Sequence, residues 1–291
     1  MSIETDVRPA RIPDWMRRPI QTDREYSEVH NSLKKNGLHT VCEDAKCPNR
    51  HECWNHGTAT IMILGNICTR DCRFCSIATG RPEGLDTDEP RRVADAVERM
   101  KLSHVVITSV TRDDLPDGGA GIFARTIAAV KERVSGVTVE VLTPDFWGRR
   151  ESLYHVLDAG PVVFSHNIET VKRLQRSIRS GATYERSLSI LRFASEYGDG
   201  SIKVKSGMML GLGETNEEVS QTLQDLYDHG VRLLTIGQYM APTRDHAHTR
   251  RFVTPREFVD FEDEAYRIGF AAVASGPLVR SSYRADKMIH T

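Results

Sequence analysis

Six short aliphatic and β-branched runs recur along the chain: TIMIL (60–64), HVVITS (104–109), VTVEVL (137–142), PVVFS (161–165), IKVKSGMML (202–210) and VRLLTIG (231–237). They read as strands covered on both faces. Amphipathic stretches with helical spacing separate them, among them RRVADAVERMK, IFARTIAAVKERV, RESLYHVLDA, YERSLSILRFASEYG and NEEVSQTLQDLYDHG. Strands that alternate with helices form parallel βα units, because a parallel neighbour is reached only by a crossover. The expected fold is therefore α/β, a partial (β/α)6 TIM-like barrel over residues 60–250, with an N-terminal extension (1–59) and a C-terminal extension (251–291) that lie outside the alternation. An open doubly wound sheet fits the same pattern and stands as the alternative. In a barrel the working face is the rim where strands end and βα loops begin.

With 39 Lys+Arg against 40 Asp+Glu the formal net charge is -1, so the chain has no overall cationic field to draw nucleic acid. No apolar run approaches the roughly 18–20 residues that span a bilayer, and MSIETDVRPARIPDWMRRPI at the N-terminus has no apolar signal core. The expectation is a cytoplasmic protein that uses neither nucleic acid nor membrane. In that reducing compartment the six cysteines serve a metal or a reaction rather than disulfides.

All six lie between positions 42 and 75: Cys42, Cys47 and Cys53 in CEDAKCPNRHEC, then Cys68, Cys72 and Cys75 in NICTRDCRFCSIATG. The second set directly follows the first strand, which places it on the rim. Each triplet is one ligand short of a closed site. Structural zinc is one reading, with His51 or His56 completing a set. Neither triplet has paired CxxC spacing, however, and iron-sulfur clusters are the common use of several thiolates gathered by one loop. A cluster held by three cysteines leaves one iron open to an exogenous ligand, as open metal sites do in catalysis.

The CxxxCxxC loop after the first strand, with Phe74 just before its last cysteine, resembles the radical S-adenosylmethionine superfamily. The resemblance implies a 4Fe-4S cluster on Cys68, Cys72 and Cys75 whose open iron binds S-adenosylmethionine and cleaves it to a 5'-deoxyadenosyl radical. Upstream, CEDAKCPNRHEC resembles the motif of the lipoyl synthase family that holds a second, auxiliary 4Fe-4S cluster. Further segments are similar to that family: TSVTRDDLPDGGA (108–120), HNIETV (166–171), KSGMMLGLGET (205–215), GQYMAPT (237–243) and GPLVRSSYRAD (276–286). The likeness runs from about His39 to Asp286 with no departure at a motif position.

That resemblance implies insertion of two sulfur atoms, at C6 and C8 of an octanoyl chain amide-linked to a carrier lysine, with the auxiliary cluster as sacrificial sulfur source. An unactivated C–H bond offers neither an acidic proton nor an electrophilic carbon, so a radical has to start the reaction. It also implies Ser282, the second serine of RSSY, as fourth auxiliary ligand, with Arg280 of the same motif beside the chemistry. Without the family, Ser281 and Ser282 read as a polar turn. The nearest alternative is another sulfur-inserting or methylthiolating radical enzyme; a zinc-dependent binding module is the non-enzymatic one.

Candidate contacts to S-adenosylmethionine are Phe74, Thr108, Arg112, Asp113, Gly118 and Gly119, then Asn167 and Glu169 after the fourth strand, and Lys205, Gly211, Gly213 and Glu214 in and after the fifth. Asp117 capping the next helix is the bland reading of the glycine pair. Met208 and Met209 read as core. Implied partners are octanoylated carrier domains, namely the acyltransferase subunit of 2-oxoacid dehydrogenases and the glycine cleavage H protein. An electron donor such as ferredoxin or flavodoxin and an iron-sulfur carrier complete the set. Lys172, Arg173, Arg176 and Arg179 offer a basic stripe for an acidic carrier, or simply a solvated helix face.

Overall fold

Each of the six apolar runs forms a strand of one sheet. A computed structural model describes residues 12–17, 24–45, 47–55, 60–198 and 200–289. The strands are β1 (His39–Thr40), β2 (Thr60–Ile63), β3 (Ile67–Cys68), β4 (Ala78–Thr79), β5 (His104–Ser109), β6 (Thr138–Leu142), β7 (Val163–Ser165), β8 (Lys203–Leu210), β9 (Leu233–Gln238) and β10 (Ala272–Gly276). The main sheet runs β1-β2-β5-β6-β7-β8-β9-β10, parallel throughout except for the antiparallel β1–β2 edge. Spatial order follows chain order without a reversal. A doubly wound sheet needs a switch point, so this topology is that of an open, partial barrel.

Helices Glu89–Arg99, Ala120–Arg133, Arg150–Asp158, Tyr184–Glu196, Asn216–Asp228 and Pro255–Ile268 make the six crossovers from β2 to β10. Their ends are set by local chemistry. Thr183 caps its helix through its hydroxyl, and Thr215 with Glu218 and Thr254 with Glu257 form reciprocal capping boxes. Ile107, Val139, Val141, Phe164 and Leu234 are buried in the common core.

The sheet continues into both flanks. The C-terminal segment adds a capped helix and the seventh parallel strand, β10, whose AVASG has a single branched side chain, Val273, where each of the other six runs has two or more. On the opposite edge β1 pairs in the register His39↔Met62 and Thr40↔Ile61, and the helix Arg24–Lys35 buries Val29 and Leu33 in the core. The first cysteine triplet is thereby carried to the edge of the barrel.

Candidate metal and cofactor site

The second triplet is held from all sides by backbone. β3 pairs with β4, bringing Cys68 opposite Thr79, and the Gly80 amide donates to the Cys68 carbonyl at 3.0 Å. The Arg73 amide donates to Ile178 O at 2.9 Å, the Ala247 amide to Arg73 O at 2.8 Å, and a His246 ring nitrogen meets Cys75 O at 2.9 Å. Amides of Arg70 and Thr111 each point at Cys68 Sγ from 3.4 Å. Burial pushes the Cys75 thiol up to about 12 and raises Cys72, and the neighbouring sulfurs add to both shifts. Such thiols become thiolates when a cation neutralises them.

Arg70 pins this loop to the rim. Its guanidinium grips Asp113 in a fork (2.8 and 2.9 Å) and reaches Asp145 at 2.7 Å. Arg186 completes Asp145 from 2.8 Å, and the Trp147 ring packs against both guanidinium groups, at 4.8 and 4.7 Å. Burial opposes the charge on Asp145, but the Arg70 hydrogen bond prevails and holds its carboxyl down at about 2.

Cys42 lies in the short helix Val41–Asp44, capped by the Thr40 hydroxyl at 3.2 Å from the Glu43 amide. Burial, reinforced by Cys47, pushes the Cys42 thiol up to about 11. The segment is tied to the C-terminal RSSY turn by three side chains. Asn49 Nδ2 donates to Leu278 O at 2.6 Å, Tyr283 O–H to Glu52 at 2.7 Å, and Thr60 Oγ1 to Ser282 Oγ at 2.7 Å. The turn itself lies against β9 because residue 237 is glycine: a Cβ there would collide with Val279 O.

One cavity of about 540 Å³ joins the two sets: Cys42, Cys47, Cys68, Cys72, Cys75, Arg280 and Ser282 all line it. Phe74, Thr108, Asn167 and Glu169 line the same cavity. Glu169 stands at φ 67, clamped by its amide on Gly207 O and its carbonyl on the Met209 amide, and accepts from Asn167 Nδ2 at 3.1 Å. Burial raises its carboxyl despite the nearby Arg179. Asn167 Oδ1 is buried without a hydrogen-bond partner. Met208 is core, as expected, although both it and Met209 also reach the cavity.

The other candidates lie off the cavity. Cys53 packs in the helix Arg50–Asn55, against the core. Arg112 is buried on Asp114 and the carbonyl of Glu83, and Asp113 serves Arg70. Gly118 and Gly119 turn the chain into a helix that Asp117 caps through the amides of Gly119 and Gly121. Lys205 is fully buried on Glu140 at 2.8 Å. Glu214 closes its own loop on the amides of Gly211 and Leu212, and Gly213 turns that loop at φ +107. Arg70, Asp145, His166, Gly207 and Thr60 line the cavity without having been singled out, because nothing in their spacing marks them. Of the basic stripe, Lys172 pairs with Glu185, Arg173 with Glu218, and Arg179 turns inward to Ser187, leaving Arg176 at the surface.

The donor chemistry fits clusters better than single ions. Cys68, Cys72 and Cys75 sit on one loop and all line the cavity, a three-thiol set that suits a cluster with one iron left open. His51 stacks on Tyr26 at 5.1 Å, and His56 lies outside the described residues. A cluster spreads its thiolates over separate irons.

A partial barrel with a CxxxCxxC loop on its rim defines a radical S-adenosylmethionine enzyme, and the model of that superfamily matches residues 62–226. The model of the N-terminal domain of lipoyl synthase matches residues 3–47. The chain is 54% identical over 275 residues to a lipoyl synthase of Rubrobacter xylanophilus, covering 94% of this chain and 85% of that one. It is 51% identical over 278 residues to that of Symbiobacterium thermophilum, covering 96% and 87%. The chain belongs to the lipoyl synthase family, sulfur-inserting enzymes that use S-adenosylmethionine and 4Fe-4S clusters. Solved structures share the fold: the FeFe-hydrogenase maturase HydG of Carboxydothermus hydrogenoformans (TM-score 0.58, 13% identity, 91% of this chain and 77% of that one) and Streptococcus suis SuiB bound to S-adenosylmethionine (TM-score 0.58, 11%, 78% and 54%). No helix among the described residues is long and apolar enough to cross a membrane.

Proposed function

We propose that this chain inserts sulfur at C6 and C8 of an octanoyl chain on a carrier lysine, drawing it from a sacrificial cluster on Cys42, Cys47, Cys53 and Ser282. The observation that carries this reading is the shared cavity, with cysteines of both triplets and the RSSY turn on its walls. Cys68, Cys72 and Cys75 would hold the other cluster, whose chemistry when bound is one-electron reduction of S-adenosylmethionine.

The chain's own part is binding, orientation and water exclusion. Phe74 and Thr108 would flank the cofactor, while Asn167 offers it an unpartnered oxygen and Glu169 a carboxylate. Met62, Val110, Leu142 and Met208 line the same cavity with apolar surface, suited to an alkyl chain. Arg280 lines the cavity with Cys42 and Cys47, its charge disfavoured by burial and favoured by Cys47. We keep residues 1–59, 60–250 and 251–291 as three functional segments: auxiliary ligands, barrel, serine ligand. Carriers and redox partners are those the family implies, in the cytoplasm.

Anaerobically purified protein should contain about eight irons and no stoichiometric zinc. With an octanoylated carrier peptide, mass spectrometry should show a gain of two sulfurs. A methylthiol product, or one iron set with zinc in the other, would refute the reading. Ser282→Ala, reconstituted with iron and sulfide, should lose most product formation; a wild-type rate would remove Ser282 from the ligand set.

A further inference from the structure

Thr60 lines the cavity with Cys42 of the first triplet and hydrogen-bonds the RSSY turn. It opens β2, is 7% exposed, and β2 is registered against β5 at four positions, so its backbone is held by the sheet. The antiparallel pairing of Thr40 with Ile61 sets the helix that carries Cys42 beside β2, and Cys42 and Thr60 line the same cavity. The Thr60 hydroxyl donates to Ser282 Oγ at 2.7 Å. Ser282 belongs to a turn with no ladder of its own.

We propose that Thr60 is a positioning residue of the auxiliary site, fixing the Ser282 oxygen so that it faces the first cysteine triplet. The inference rests on the reading of Ser282 as fourth ligand. An oxygen that accepts from Thr60 has one lone pair committed and its side-chain rotamer locked, leaving the remaining electron density aimed into the cavity. Outer residues that orient a ligand in this way typically alter metal affinity by about 10–100-fold.

The test uses the full chain with Cys68, Cys72 and Cys75 replaced by Ala, so that only the auxiliary site loads. After reconstitution, the rate of iron transfer to a ferrous chelator is measured, with Mössbauer spectra of the loaded site. Thr60→Val, which keeps shape and strand propensity, should release iron at least about tenfold faster, and Thr60→Ser should match the parent. Ser282→Cys supplies a thiolate that needs no such donor, so it should cancel the Thr60→Val effect.

If Ser282→Ala releases iron faster while Thr60→Val behaves as the parent, the inference fails and Ser282 ligation stands. If Ser282→Ala also behaves as the parent, the ligation reading fails and takes the inference with it. A Thr60→Val defect that persists in Ser282→Cys is a packing defect and equally overturns the proposal.

Discussion

His166 shows what a buried titratable group does when the reaction has no evident use for its proton. It is 2% exposed, with Nδ1 on Thr143 O at 2.9 Å and Nε2 on Ser187 Oγ at 3.0 Å. Burial, with the Arg179 charge adding to it, pushes its pKa down from 6.5 to about 4. The folded chain therefore refuses a proton that the unfolded chain accepts. Stability from this group is present above pH 6.5 and is lost as pH falls toward 4, by about 3 kcal/mol over the window. Urea titrations of the metal-free chain should show that slope, and His166→Gln should flatten it; an unchanged slope would reassign it. Lys205 carries the same lesson for reading a sequence. A lysine in the fifth strand suggested a cofactor contact, yet its partner is Glu140 on β6, at a separation no local pattern reveals. Lys205→Met would leave the buried Glu140 carboxylate with only His104, 3.8 Å away, and should cost about 3–5 kcal/mol. Lys205→Met/Glu140→Leu should recover most of it, measured by chemical denaturation.

Elements were legible where composition was one-sided. The six β-branched runs became β2 and β5 to β9, and the rim position of Cys68, Cys72 and Cys75 followed from them. β10 was missed because Ala, Ser and Gly make a weak strand signal, and β1 because two residues carry no period. The loop after β8 was misleading in another way. Gly211, Gly213 and Glu214 looked like a ligand cradle, but Glu214 is consumed by its own backbone. Gly237, by contrast, passed unremarked within GQYMAPT, although it sets how closely the RSSY turn approaches β9. Gly237→Ala should push Val279 away, cost about 1–3 kcal/mol, and lower iron from about eight toward about four per chain. Spectra of the cluster on the CxxxCxxC loop should be unaffected. Loss of both clusters together would mean that the turn supports the whole rim.

At the scale of the molecule, the clusters and the fold are separable. Zinc-finger domains are unfolded without metal because the metal replaces a core. Here the core is built mainly from β2, β5 to β9 and the crossover helices, joined by Val29, Leu33 and Trp54, and of the six cysteines only Cys42 is buried within it. Chelation should therefore leave far-UV circular dichroism and a cooperative thermal transition in place. S-adenosylmethionine then becomes a probe of the open iron proposed for Cys68, Cys72 and Cys75. A ligand at a hundred times its Kd stabilises by about 2.7 kcal/mol, and in a chain larger than 150 residues each kcal/mol is about 2–4 °C of Tm. The iron-loaded protein should gain several degrees with S-adenosylmethionine and the metal-free protein should gain little, because Arg70 and Asp145 on the cavity wall are already committed to each other. Cys72→Ala, at the middle of the loop, should abolish the gain while the Tm of the metal-free chain changes little. A full gain in the metal-free chain would place the cofactor's binding energy in Asn167, Glu169 and their neighbours rather than in the metal.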